Sequence, residues 1–137
     1  MSPKEECEIL LDSLLSASVS LLEKNGEFYP IGAVLSNDAV ATFTAVHSGN
    51  EFPDSRQVIQ ELISAHRQMA QNNEIKASGI AWNAVIASEK EKSDAIIVSL
   101  EHRDEYSVMV GLPYKIDLFK KTEFGELFAQ RGSNNVF

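Results

Sequence analysis

Cysteine is nearly absent from this sequence: Cys7 is the only one in 137 residues, so no intrachain disulfide can form. Basic charge is also short, with 12 Lys and Arg against 20 Asp and Glu, a formal net charge of −8. That balance argues against nucleic acid or an anionic membrane as principal partner, because phosphate binding needs clustered Lys and Arg. Long apolar runs are missing too, and no stretch approaches the roughly 18 residues that a membrane helix needs. The N-terminal residues lack the basic start and continuous apolar run of a secretory leader, so the cytosol is the expected compartment. No G-x-x-x-x-G-K-[ST], G-x-G-x-x-G, H-E-x-x-H, G-x-S-x-G or C-x-x-C pattern occurs. The glycines are dispersed and form no phosphate cradle. The residues therefore assign no catalytic group, no metal ligand set and no cofactor.

What is present suits a globular domain. The chain is 44% apolar and 23% charged, and a chain of this length buries about two thirds of its unfolded surface. Residues 1–137 read as a single α+β domain. Ser2-Pro3-Lys4-Glu5 has the capping-box form with proline at the first helical position. Cys7, Leu10, Leu11, Leu14, Leu15, Leu21 and Leu22 follow at helical spacing up to Asn25-Gly26, which predicts a helix over about 4–24. Ile31–Leu35 and the alternating Ala39–Val46 make a hairpin around Ser36-Asn37-Asp38. Asp54 or Ser55 caps a second amphipathic helix over about 55–72, with Val58, Ile59, Leu62, Ile63 and Met69 on its apolar stripe. Three alternating strands follow near 75–87, 95–102 and 106–112, the last ended by Pro113. The aromatic tail from about residue 114 is irregular, with two helical turns expected between Glu123 and Ala129.

Short connections favour antiparallel pairing. The order α-β-β-α-β-β-β plus tail thus predicts a five-stranded, mainly antiparallel sheet with both amphipathic helices on one face. The heavier set, Ile80, Ile86, Ile96, Val98, Leu100, Val108, Val110 and Leu112, is expected under the helices. The lighter set, with Ala81, Val85, Ile97, Met109 and Phe43, needs cover from the tail or from a second subunit.

This element order, with the glycine-containing first strand Ile31-Gly32-Ala33-Val34-Leu35 and the turn at Asn37-Asp38, resembles the profilin-like and roadblock class of small domains. Gly26-Glu27-Phe28-Tyr29-Pro30 and Phe124-Gly125-Glu126 are similar to segments of uncharacterised bacterial single-domain proteins. The first resemblance implies a five-stranded antiparallel sheet, and neither carries over a catalytic residue.

Four residues stand out as candidate ligand groups: His47 at the start of a loop, Glu101, Trp82 and Tyr29. Glu101 lies in the ionisable run Glu101–Glu105, but neighbours on a strand point to opposite faces, so Glu101 and His102 cannot converge on one ion. Glu101 shares a face with Ser99 and is expected to neighbour Asn83, and a partly buried carboxylate there needs hydrogen bonds or its pKa rises. His66, mid-helix with no partner at the next turn, reads as a boundary or surface histidine. Cys7, among Glu5, Glu6 and Glu8, reads as structural. Three functional readings follow. The first is a non-enzymatic protein-interaction domain acting as a homodimer or binding another protein. The second is a small enzyme or ligand-binding domain around His47, Glu101 and the aromatics. The third is an acidic immunity protein masking a cationic toxin.

Overall fold

The computed structural model describes residues 1–45, 54–87 and 92–137. Helix α1 (Pro3–Asn25) starts as its capping box requires: Ser2 Oγ accepts the Glu5 N–H at 3.1 Å and Glu5 Oε1 accepts the Ser2 N–H at 3.2 Å. Gly26 closes it at φ 77°, where a side chain would be strained. Helix α2 (Ser55–Gln71) begins on Asp54, whose Oδ1 accepts the Gln57 N–H at 2.8 Å. The strands are β1 (Ile31–Ser36), β2 (Ala41–Thr44), β3 (Ile75–Ala87), β4 (Lys92–His102), β5 (Tyr106–Ile116), β6 (Thr122–Phe124) and β7 (Phe128–Arg131). They form one antiparallel sheet in the order β2-β1-β3-β4-β5, with β6 and β7 sharing the outer edge of β5. Among the described residues no helix is long and apolar enough to cross a membrane.

The expectation of five strands falls short at the tail. The segment expected as two helical turns pairs instead with the free edge of β5, where main-chain partners are available. Tyr114 lies opposite Phe124 and Gly111 opposite Phe128, so three steps on β5 face four on the outer strand. The extra residue is a bulge that separates β6 from β7. Pro113 accounts for its position. Gly125 N–H donates to the Pro113 carbonyl at 2.8 Å, so the edge of Pro113 that lacks an N–H also faces the outer strand. Pro113 therefore does not end β5, which runs on to Ile116; it interrupts the strand beside it.

The helices lie on opposite faces, not on one. A Cβ on Gly79 would meet Leu14 and Leu10 of α1, whereas a Cβ on Gly32 would meet Leu62 and His66 of α2. Gly79 pairs with Ala33 and Leu100, so the α1 face carries Ala33, Leu35, Ala77, Ala81, Ile96, Val98, Leu100 and Val110. The α2 face carries Ile80 and Trp82 under Val58, Ile59, Leu62 and Ile63. Ile80 stands opposite Ser99, and Ala81 opposite Val98. The heavy residues of β3 thus share a face with the light residues of β4, the reverse of the sequence expectation. Packing explains it. The column Ala77-Gly79-Ala81 is small enough for the Leu10 and Leu14 side of α1 to approach the sheet closely, and the bulk of β3 goes under the shorter α2.

Part of the rest of the α2 face is covered by the tail of the same chain. Phe128 of β7 lies over Gly111, where a Cβ would collide with its ring. Val136 of the tail is buried.

Leu14 and Leu62 are each fully buried, on opposite sides of the sheet. Truncation to Ala is expected to cost about 2–4 kcal/mol at each. Without a shared partner, the two losses should add in a double variant within about 0.5 kcal/mol. Urea melts of the three variants check this, and a double loss well below the sum would mean one shared core.

Candidate functional site

The α2 face encloses a cavity of about 110 Å³ whose walls come from α2, β3, β4, β5 and the C-terminal tail. Ile59 and Ile63 descend from the helix, and Ile80, Trp82 and Met109 rise from the sheet. Its polar lining includes Glu101 and Ser99, which share a face because they stand two residues apart on β4, with Ser78 from β3 and Ser133 and Asn135 from the tail. Glu101 is only 4% exposed. Its Oε1 accepts the N–H of Asn135 at 2.7 Å and of Val136 at 3.0 Å. Arg67 of α2 donates from Nε and Nη2 to the Asn135 carbonyl at 3.0 and 2.7 Å. The Asn135 residue is therefore held at both ends, its N–H by a carboxylate and its carbonyl by a guanidinium. Charge-assisted bonds of this kind are the stronger ones. Together they seat the tail over the cavity.

Beside this cavity His66 is fully buried, bracketed by Ser78 Oγ on Nδ1 and Thr44 Oγ1 on Nε2, each at 2.7 Å. A hydroxyl donates or accepts with equal ease, so these partners fit either tautomer. Burial decides the charge: it pushes the imidazole down from 6.5 to about 4. The surface or boundary reading of His66 is corrected accordingly. Gly32 leaves the room its ring occupies, since a Cβ there would lie 3.0 Å from the ring.

The opposite face holds a second ionisable cluster. Glu6 in the first turn of α1 pairs with Lys76 and, through Oε1, with His102 Nε2 at 3.2 Å. His102 Nδ1 accepts the Asp104 N–H at 3.0 Å, which places the ring proton of the neutral form on Nε2, towards Glu6. Lys76 is the main reason that the Glu6 carboxyl sits below its usual range, and His102 adds to it. Cys7 is buried alongside, and desolvation, reinforced by Glu6 and Glu101, pushes its thiol up to about 12. A thiol so far from ionising is no nucleophile.

Of the four residues singled out in the sequence, the structure brings two together, Glu101 and Trp82. Tyr29 is 56% exposed and lines a separate groove of about 510 Å³ with Leu21, Phe28 and Ile31. His47 lies outside the described residues. Asn83, expected beside Glu101, faces the α1 side, where it accepts the Tyr114 hydroxyl at 2.7 Å. Glu101 and His102 point to opposite faces, as strand alternation requires. Sequence reading missed Arg67 and Asn135, because no local pattern announces a pairing across 68 residues. Among the described residues, no group of three His, Cys, Asp or Glu side chains is placed to hold a metal ion. No protein-family model, curated protein or solved structure matches the chain.

His66 sets a pH dependence of stability. Its folded pKa lies below the unfolded 6.5, so the unfolded chain binds the extra proton first and stability is lost as pH falls from about 6.5 to about 4. The loss is on the order of 3 kcal/mol, and it should disappear from the curve of His66→Leu. NMR titration of the ring checks the origin directly: a midpoint close to 6.5 in the folded protein would contradict it.

Proposed function

We propose that this domain is a non-enzymatic protein-interaction module that works as a homodimer. The observation that carries the reading is a strip of incompletely covered apolar surface on the α1 face. There α1 leaves the β5 side of the sheet partly open, and Leu15, Val19 and Leu112 line a wide, shallow groove. The strip continues through Phe124, 39% exposed, whose ring packs 6.5 Å from that of the buried Tyr114 opposite it, to exposed Ile116. Beyond it the β5–β6 turn projects Leu118, 99% exposed, and Phe119, 90% exposed. The turn is built rather than loose: Asp117 Oδ1 accepts the N–H of Phe119 at 2.8 Å and of Lys121 at 2.9 Å. Contiguous apolar surface rimmed by polar groups is characteristic of protein contacts. The buried ionisable groups support the same reading. His66, His102 and Glu6 are each engaged in a structural contact, and Cys7 is held as a thiol.

The sequence suggests the lighter sheet face or the tail as the source of the contact. The strip draws on the tail through Ile116, Leu118 and Phe119, while the lighter set divides between the faces, Ile97 and Met109 lying on the α2 side and Ala81, Val85 and Phe43 on the α1 side.

A second reading, a small-ligand-binding domain, is favoured by one specific observation: Glu101 and Trp82 line the same cavity.

Light scattering at micromolar concentration tests the dimer. The expected mass is twice the 15.1 kDa of the chain, unchanged by salt because an apolar contact is little screened. Leu15→Lys combined with Ile116→Lys should give a folded monomer. A wild-type mass of one chain at low and high salt alike would overturn the dimer.

A further inference from the structure

We infer that the cavity beside Glu101 is a binding site for a small organic cation of the short alkylammonium class. The inference rests on the small-ligand reading and supplies the chemistry that reading lacks.

Four features point to it. The first is the carboxylate itself: Glu101 is almost entirely buried, Oε1 is fully used by the two tail N–H groups, and Oε2 makes no hydrogen bond with any described residue. An unbonded oxygen on so largely buried a residue, lining the cavity, is available to a donor or a cation that enters it. The second is the local charge. The one cation bonded nearby, Arg67, spends both of its bonds on the Asn135 carbonyl and none on the carboxylate. The third is the apolar share of the lining. Ile59, Ile63, Ile80, Trp82 and Met109 meet the carboxylate around one cavity, and apolar walls with a carboxylate among them suit an ammonium group on a short apolar stem. The fourth is size. About 110 Å³ is well below the roughly 300–1,000 Å³ of sites for drug-sized ligands, so the cavity favours a short amine over a polyamine. Ser99 lines the cavity as well and offers a hydroxyl oxygen to a second ammonium proton. The tail, clamped between Glu101 and Arg67, supplies one side of the site through Ser133 and Asn135.

Trp82 is the only tryptophan in the chain, so its fluorescence reports the cavity without a label. The experiment titrates the full chain with n-butylammonium chloride, with n-butanol as the neutral isostere and with sodium chloride at matched ionic strength. Each titration is followed by Trp82 emission and by thermal melting. The proposal expects a saturable Trp82 change and a raised Tm with butylammonium alone. Glu101→Gln keeps an acceptor for the tail and removes only the charge, and it should weaken butylammonium about tenfold or more. Should that variant fold poorly, the wild-type contrast of butylammonium with butanol decides by itself. Equal responses to butylammonium and butanol would overturn the cation while leaving the ligand-binding reading in place. Equal responses to butylammonium and sodium chloride would overturn the organic specificity. A flat Trp82 signal and an unchanged Tm with all three would overturn the proposal, while the ligand-binding reading would fall only if the cavity also failed to take up uncharged and anionic probes of similar size.

Discussion

One carboxylate oxygen holds the end of the chain against the sheet. Glu101 Oε1 takes the N–H groups of Asn135 and Val136, and Arg67 takes the carbonyl between them. Without that acceptor the Val136 N–H is left buried and unpaired, a loss of about 1–3 kcal/mol. The consequences spread outward from there. With the tail seated, Val136 is buried and the cavity has its fourth wall. The β4–β5 half of the α2 face, which α2 does not cover, is closed in part by the chain's own C-terminal segment. The same oxygen links the fold to the candidate site, because fixing Oε1 to the tail leaves Oε2 as the group that a ligand can use.

The sheet explains how two helices of unequal length share the work. Helix α1 sits close on the small residues Ala77, Gly79 and Ala81 and buries the branched residues of β4 and β5 beyond them. Helix α2 covers Ile80 and Trp82 and carries His66 down to the hydroxyls of Ser78 and Thr44. A histidine there is kept neutral by burial, and its two hydroxyl partners fix the position of α2 over β1 and β3. Across the sheet, Glu6, Lys76 and His102 tie the first turn of α1 to β3 and β4 in a comparable way. Each helix is thus located by a buried polar contact in addition to its apolar stripe. Such contacts discriminate between alternative packings more sharply than apolar surface does.

Much of this was legible in the residues. Both N-caps, Ser2 and Asp54, stand where their side-chain acceptors predict, and the alternation of β3, β4 and β5 gives their existence and antiparallel sense. Glu101 was recognisable as a carboxylate that must find hydrogen bonds. What the sequence did not reveal is parity. Alternation divides each strand into two sets, but which set of β3 joins which set of β4 depends on register, and a one-residue slip exchanges the faces. That choice, made by the fit of α1 against Gly79, moved α2 to the far side. The tail was opaque for a related reason. The sequence from Thr122 to Arg131 carries no strong strand pattern, and it becomes a strand because β5 offers an open edge. The donors that satisfy Glu101 came from residues 34 and 35 positions away, where local reasoning has no purchase.

The account turns on the seating of the tail, and amide hydrogen exchange at Asn135 and Val136 measures it most directly. In the wild-type protein these two amides should be protected far above the neighbouring Ser133 and Asn134. In Glu101→Ala the protection should vanish at both positions while the amides of β3 and β4 stay slow. Rapid exchange at Asn135 and Val136 in the wild type, or equal protection in the variant, would contradict the claim that Glu101 holds the tail.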